Sequence, residues 1–285
     1  MSDSAPETRA GRLEAGIIAV GHATQSACRG LIDRVRYLGG IGLLLGDTLR
    51  WIGRATHNRR ARVSPSVLAA QMVRVGVRSI PIVVLVQTFI GIILALQLAP
   101  TMQDYGSIEK IAVIIGIAMF RELGPLLSAV VLSGFAGASI AAELGAMVEA
   151  EEIKALRAHA LNPVRFLVVP RCVATVVMMV GLTLVADVVG VLGGLFTAWF
   201  VLDVPPPIYL DQTYLSVVYR DMFSGLIKAG VFGLEISMIG CYEGLSVSGG
   251  AEGVGRATTN TVVKSIVALI ATDCVFTSVF YLYKL

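Results

Sequence analysis

The stretch MFRELGPLLSAVVLSGFAGASIAAELG, Met119 to Gly145, sets an arginine and a glutamate side by side at the head of a run that is otherwise almost all apolar. In water such a pair is ordinary. In a bilayer each charge costs several kcal/mol unless it is paired or lines a hydrated cavity. The solvent therefore decides how the segment is read.

Composition identifies that solvent. Of 285 residues, 55% are hydrophobic and 15% charged, with mean hydropathy +0.78, against roughly 25% charged residues in ordinary globular domains. Ser79–Ala99 carries no charge and is long enough to cross about 30 Å of hydrocarbon as a helix, after which Pro100 closes it. Four further apolar segments follow, Ile111–Ala142, Cys172–Leu202, Met222–Cys241 and Ser265–Tyr283, each with one or two ionisable residues. The fold class is an all-α integral membrane protein with five spans. Spans two and three exceed the roughly 20 residues that a perpendicular helix needs, so they tilt, kink or extend past the bilayer. Gly124 and Pro125 mark the expected kink.

The loops carry a charge bias. The first 79 residues hold twelve arginines and no lysine, and the loop Glu143–Arg171 adds Lys154, Arg157, Arg165 and Arg171. The other side holds Lys110, Arg220 and Lys284. The positive-inside bias places the N-terminus and the Glu143–Arg171 loop in the cytoplasm and the C-terminus outside, in a multi-pass inner membrane protein.

Residues 1–25 are polar, show no cleavable signal pattern and are expected to be a disordered tip. Residues 26–78 are expected to be an interfacial amphipathic region, and residues 79–285 the five-span domain. Leu31, Val35, Leu38, Ile41, Leu45, Leu49 and Ile52 recur at helical steps, while Arg29, Asp33, Arg34, Arg36, Asp47, Arg50 and Arg54 take other positions. The basic side and Trp51 suit a helix lying on anionic headgroups, although Gly39, Gly40, Gly42 and Gly46 weaken its helix propensity.

The residues exclude several chemistries. Cys28, Cys172, Cys241 and Cys274 are too scattered for a metal spacing and read as apolar thiols. His22, His57 and His159 all lie outside the spans. GASIA at Gly137–Ala141 is faintly like a membrane serine protease, but no histidine in any span could act as base. Ser248–Asn260, SGGAEGVGRATTN, is glycine-rich but lacks the lysine of a phosphate-binding loop. It reads as a cytoplasmic connection, with Thr258 or Thr259 capping the next helix. No Walker motif occurs, nor any nucleic-acid signature.

Glu149–Leu161, EAEEIKALRAHAL, reads as a helix about 20 Å long, acidic early and basic late as the helix dipole prefers. Ile153, Leu156 and Ala160 share a face, and Asn162 with Pro163 stops it. It is either a solvated surface helix or a plug that enters a groove on a partner.

These residues carry a resemblance. FRELGPLLSAVVLSGFAGASIAAELGAM followed by EAEEIKALRAHALNPVRFLVVPR closely resembles the MlaE/YrbE permeases, the membrane subunits of ABC transporters that work with MCE proteins. QTFIGIILALQ, Gln87–Gln97, resembles the family's first span, and GVGRATTNTVVKSIVALIATDCVFTSVF its last. Similarity runs from about Val73 to the C-terminus.

The resemblance implies a non-catalytic permease, paired with a second copy or a sister permease. It also implies two cytoplasmic ABC ATPase subunits that bind ATP and Mg, a periplasmic MCE hexamer and, in some assemblies, a small cytoplasmic accessory subunit. Phospholipid is the implied cargo; no cofactor or metal is implied for this chain. Glu151, Glu152, Ile153 and Leu156 match the coupling helix that docks on the ATPase. Leu94, Gln97, Met102, Tyr105, Arg121, Glu122 and Leu123 match the family's lipid cavity.

Two readings of Arg121 and Glu122 stand. Neighbours on a helix diverge by about 100 degrees, so each meets other groups. Arg121 could grip a lipid phosphate; alternatively, one of the two pairs with Lys228, Glu235, Asp187 or Asp273 to fix packing. Gly190 and Gly194 in span three, and Gly134, Gly137, Ala138 and Ala141 in span two, mark faces for close helix contact. The competing function is a proton-coupled secondary transporter built on Glu122, Asp187, Glu235 and Asp273; against it, no internal repeat is visible.

Overall fold

A computed structural model describes residue 32, residues 35–54 and residues 64–283. The expected polar tip and Arg29, Leu31, Asp33 and Arg34 of the amphipathic pattern lie outside the described residues, as do Cys28 and Lys284. Two compact units are present, residues 1–46 and 47–285. Helix α1 runs over residues 35–54. Val35, Leu38, Leu43 and Leu49 on it are exposed.

The second unit is a bundle of long helices, and no strand occurs among the described residues. Five stretches are long and apolar enough to cross a membrane: Pro65–Asp104, Ile108–Glu149, Val164–Phe200, Tyr219–Leu245 and Gly250–Tyr283. The protein is a multi-pass membrane protein. The first stretch joins α2 (Pro65–Val75) to α3 (Ile80–Asp104) through a tight turn at Val77–Ser79. Pro65 and Pro81 sit in first turns, where a missing N–H costs nothing. The helix also runs through Pro100 to Asp104, four residues beyond the expected stop.

The second stretch strings together α4 (Ile111–Ala118), α5 (Gly124–Leu132) and α6 (Ala138–Glu149). Two wide π-turns, Met119–Leu123 and Ser133–Gly137, join them. Pro125 cannot donate to the ladder, and its ring crowds the carbonyl four residues back. The turn before it widens, so that the Gly124 N–H reaches the Met119 carbonyl. The expected kink site is thus a π-turn placed just ahead of Gly124.

After α6 come α7 (Glu152–Ala158), a third π-turn at Val164–Val168, and α8 (Val169–Phe200). At about 1.5 Å per residue, the 32 residues of α8 outrun the roughly 30 Å hydrocarbon core. Short α9 (Pro206–Ser216) leads to α10 (Tyr219–Leu245) and α11 (Gly250–Tyr283).

Helix α11 begins fifteen residues before the expected Ser265, which corrects the reading of Ser248–Asn260 as a loop. The connection shrinks to Ser246–Gly249, and the φ of +97° at Gly249 and +68° at Gly250, where the chain turns into α11, need glycine. Beyond them no proline blocks a helix. Thr258 and Thr259 donate back to the Gly255 carbonyl inside α11 instead of capping it.

The core lies where α8 meets α3 and α10. Helix α3 buries Val83, Gln87, Gly91, Ala95 and Ala99, a stripe at four-residue steps. A Cβ at Gly91 would stand 1.9 Å from the Gly190 carbonyl oxygen, and one at Gly193 would stand 2.4 Å from that of Thr88. Gly193 thus serves contact with α3, while the space beside Gly190 is taken by Met119 and that beside Gly194 by Tyr209 and Ile115, close approaches of the kind bilayer packing requires. Gly137 meets Ile236 and Thr261, whereas Gly134 has open space beside it and marks no contact within the chain.

Candidate functional site

Arg121 and Glu122 both sit on the first π-turn, and α10 receives both. Arg121 Nε pairs with Asp221 Oδ1 at 2.9 Å, and Asp221 Oδ2 accepts the Val218 N–H at 3.2 Å, capping α10. Two turns further along α10 is Lys228, 1% exposed. Its ammonium donates to Glu122 Oε2 at 2.5 Å and to Thr277 Oγ1 at 3.0 Å. Asp273 Oδ1 lies 2.9 Å away, close as an ion pair but out of hydrogen-bond alignment. The Thr277 hydroxyl donates to Glu122 Oε1 at 3.1 Å. The Phe280 ring centroid stands 5.9 Å from the ammonium.

One buried cation thus faces two carboxylates, joining α10, α11 and the π-turn. A carboxylate without a cation would be costly at this depth. The cluster edges an open groove of about 700 Å³ lined by Glu122, Ile270, Asp273, Cys274, Thr277 and Tyr281. Its surface is mostly apolar, with the carboxylates of Glu122 and Asp273 and the Thr277 hydroxyl on its lining.

Of the partners expected for Arg121 and Glu122, the structure supplies Lys228, joined by Asp273. Asp221 is an addition that sequence reasoning missed, although it opens the span. Glu235 instead accepts from Thr272 Oγ1 at 2.5 Å. Asp187 lies against Gly124, where a Cβ would stand 1.7 Å from its Oδ1. Gln87 is another missed residue: its Nε2 donates to Ser128 Oγ at 3.2 Å and to the Gly124 carbonyl at 3.4 Å. The signal for it was an amide in a charge-free span, which it shares with Gln97.

The seven cavity residues implied by resemblance do not converge on one pocket within a single chain. Glu122 lines the α11 groove, whereas Met102 and Tyr105 line a separate recess of about 420 Å³ with Ser107, Lys110, Val113 and Ile114. Leu94 and Leu123 pack, with Met102, on the core around Ile111, Ile115 and Met119. Gln97 is exposed, and Tyr105 is 76% exposed.

The second polar site surrounds α7. Glu143 on α6 takes Arg74 of α2 at 2.6 Å, Arg171 of α8 at 3.1 Å and the Ser139 hydroxyl at 3.0 Å. Three helix ends are thereby tied where α7 projects. Helix α7 is shorter than the expected Glu149–Leu161 because both its ends reverse through left-handed residues, Glu151 at φ +60° and Ala160 at φ +58°. Such φ values for non-glycine residues carry strain.

Ile153, 6% exposed, is the inward anchor of α7. Glu151 and Glu152 face solvent and Leu156 is half-buried. Lys154 pairs with Glu151 at 2.6 Å and holds its carboxyl below the usual glutamate value. The outward surface of α7 thus carries an acidic start and one partly covered leucine.

A family model described as Permease MlaE matches residues 68–279. The chain belongs to the MlaE permease family. The matched stretch begins in α2, ends inside α11, takes in part or all of each of the five spans and the whole of α7, and leaves α1 outside. Over 216 residues, this MlaE permease is 38% identical to a probable ABC transporter permease protein of Rickettsia felis, covering 76% of this chain and 83% of that one. A probable ABC transporter permease protein of Synechocystis is 35% identical over 217 residues, with 76% and 82% covered. The chloroplastic protein TRIGALACTOSYLDIACYLGLYCEROL 1 of Arabidopsis thaliana is 33% identical over 211 residues, with 74% and 60% covered. The molecule is an ABC transporter permease of the MlaE family.

Proposed function

We propose that this permease is the non-catalytic membrane subunit of an MCE-type ABC transporter, moving phospholipids between the inner membrane and a periplasmic MCE hexamer. Two cytoplasmic ATPase subunits bind ATP and Mg and drive it. The observation that carries the lipid reading is the groove beside Glu122 and Thr277. It is open, mostly apolar, and carries the charges of Glu122 and Asp273, which suits acyl chains and a polar headgroup. The name of the plant relative contains that of a diacylglycerol lipid, which favours the same class of cargo.

A second copy or sister permease completes the groove. Helix α11 buries only Gly253, Ala257, Thr261, Ser265 and Leu269 within the chain, so most of its apolar surface is left to lipid or to another subunit. Leu94, Gln97, Met102, Tyr105, Arg121, Glu122 and Leu123 line the cavity of the pair. The N-terminus and α7 face the cytoplasm and the C-terminus the periplasm.

Helix α7 couples the ATPase to the spans. Glu151, Glu152 and Leu156 form its contact, and Ile153 together with the Glu143 tie transmits the push to α2, α6 and α8. The test is co-purification with a candidate ATPase. Leu156→Asp should leave insertion intact and abolish stimulation of ATP turnover; unchanged stimulation would sink the coupling role. For the groove, Glu122→Gln and Arg121→Ala variants of normal stability should carry less co-purified phospholipid than the parent, and equal content would remove these residues from cargo handling.

A further inference from the structure

Helix α9 stands between spans three and four, at the end of the bundle opposite α7, and the transport reading gives it no task. Five residues join it to α8, yet its inner contacts lie well inside the spans. The hydroxyl of Tyr209, a fully buried residue, donates to the Val191 carbonyl at 3.2 Å. Val191 precedes the end of α8 at Phe200 by nine residues, about 14 Å of helix. A Cβ at Gly116 would stand 3.0 Å from Val217 Cγ2 and 3.3 Å from Thr213 Cγ2. Gly116 in turn lies six residues past Lys110, about 9 Å along the helix. We propose that α9 is a re-entrant helix lying in the membrane leaflet opposite α7, with Leu210, Tyr214 and Leu215 against the upper acyl chains of its lipids.

The hydrocarbon reaches this end of both flanking spans. Span two has no ionisable residue from Ile111 to Phe120, and span three none from Val188 to Leu202. Val188, Leu192, Phe196 and Phe200 keep an exposed apolar face on α8 up to its last turn, and Trp199 beside them suits the interface. The charges that flank the same spans, Glu143, Arg165 and Arg171, gather at the α7 end. The excess length of α8 over the bilayer therefore projects on the α7 side, and the contacts of α9 fall below the surface of the opposite leaflet.

The chemistry of α9 fits that depth. From Val204 to Tyr219 the single charge is Asp211. The Thr213 hydroxyl donates to the Tyr209 carbonyl at 2.9 Å and the Ser216 hydroxyl to the Thr213 carbonyl at 3.1 Å, so neither needs water. Tyr214 and Leu215 are 85% and 74% exposed, and their surface extends the lipid-facing wall of span three. Asp211 and the tyrosine hydroxyl hold the helix at the upper chains and away from the midplane, the level at which interfacial helices and tyrosine rings settle.

The test uses the full chain in phosphatidylcholine nanodiscs. The sequence has two tryptophans, Trp51 and Trp199, so Trp51→Phe and Trp199→Phe with Tyr214→Trp leave one emitter on α9. Its emission should be lost when the lipid carries bromine on the upper part of the acyl chain, should be lost less with bromine near the chain end, and should be unchanged by aqueous iodide. If this variant does not insert, Leu215→Trp in the same background takes its place, with the same pattern expected.

Quenching by iodide and by neither lipid would put α9 in water. Quenching by none of the three would mean that protein covers it, whether a second copy or a partner chain. Stronger quenching from the chain end would put it at the midplane. Each of these results overturns the proposal.

Discussion

Replacing Lys228 by methionine keeps the stem length and apolar packing while removing the ammonium. What remains is Glu122 and Asp273 facing one another without their cation, where Lys228 had stood 2.5 and 2.9 Å from them. Breaking a buried pair by removing one partner costs about 3–5 kcal/mol. Because the side chains of Glu122 and Asp273 are 34% and 15% exposed, the lower end of that range, about 3 kcal/mol, applies. At about 2–4 °C per kcal/mol for a chain of this size, the melting temperature should fall by roughly 6–12 °C.

The assay is thermal unfolding of purified protein in detergent, followed by aggregation or thiol exposure of buried Cys172 and Cys241. The decisive comparison is the triple variant Lys228→Met, Glu122→Gln, Asp273→Asn. It removes the orphaned charges along with the cation and should recover most of the loss. If the triple variant is as unstable as the single one, charge balance is not what Lys228 supplies. A single variant as stable as the parent would show that the cluster does not hold α11 at all.

Other outcomes follow from contacts at named atoms. Gly124→Ala would drive its methyl to 1.7 Å from Asp187 Oδ1 and should cost about 1–3 kcal/mol, the usual range for overpacking, partly relieved by Asp187→Ala in a double-mutant cycle. Gly91→Ala meets the Gly190 carbonyl oxygen at 1.9 Å; backbone cannot step aside as a side chain can, so α3 and α8 must separate and thermal stability should drop. Gly134→Ala has open space and should be neutral or stabilising by up to about 1 kcal/mol from helix propensity. Glu143→Gln releases Arg74 and leaves Arg171 buried without its carboxylate; hydrogen exchange in Pro65–Val75 should rise, and unchanged exchange would show that the tie does not fasten α2.

Five spans, an all-α membrane fold and a short helix after span two were legible in the sequence because bilayer thickness sets segment length and hydrocarbon penalises charge. The same two facts exposed Arg121, Glu122, Lys228 and Asp273 as residues that need partners. Where spans begin was less legible. The helical starts at Pro65 and Gly250 lie in polar or glycine-containing sequence with no apolar run to announce them.

Tertiary structure alone decided which charges meet. Neighbouring residues on an ideal helix diverge, yet the π-turn and the seven-residue spacing of Asp221 and Lys228 let α10 receive both Arg121 and Glu122. It also decided that Ile153 turns inward while Glu151 and Glu152 stay outside, and that Arg165 joins Arg54 over Trp51. Hydropathy is a property of each residue and survives being read in one dimension. Pairing depends on which helix faces are brought together by packing, and a one-dimensional pattern does not contain that.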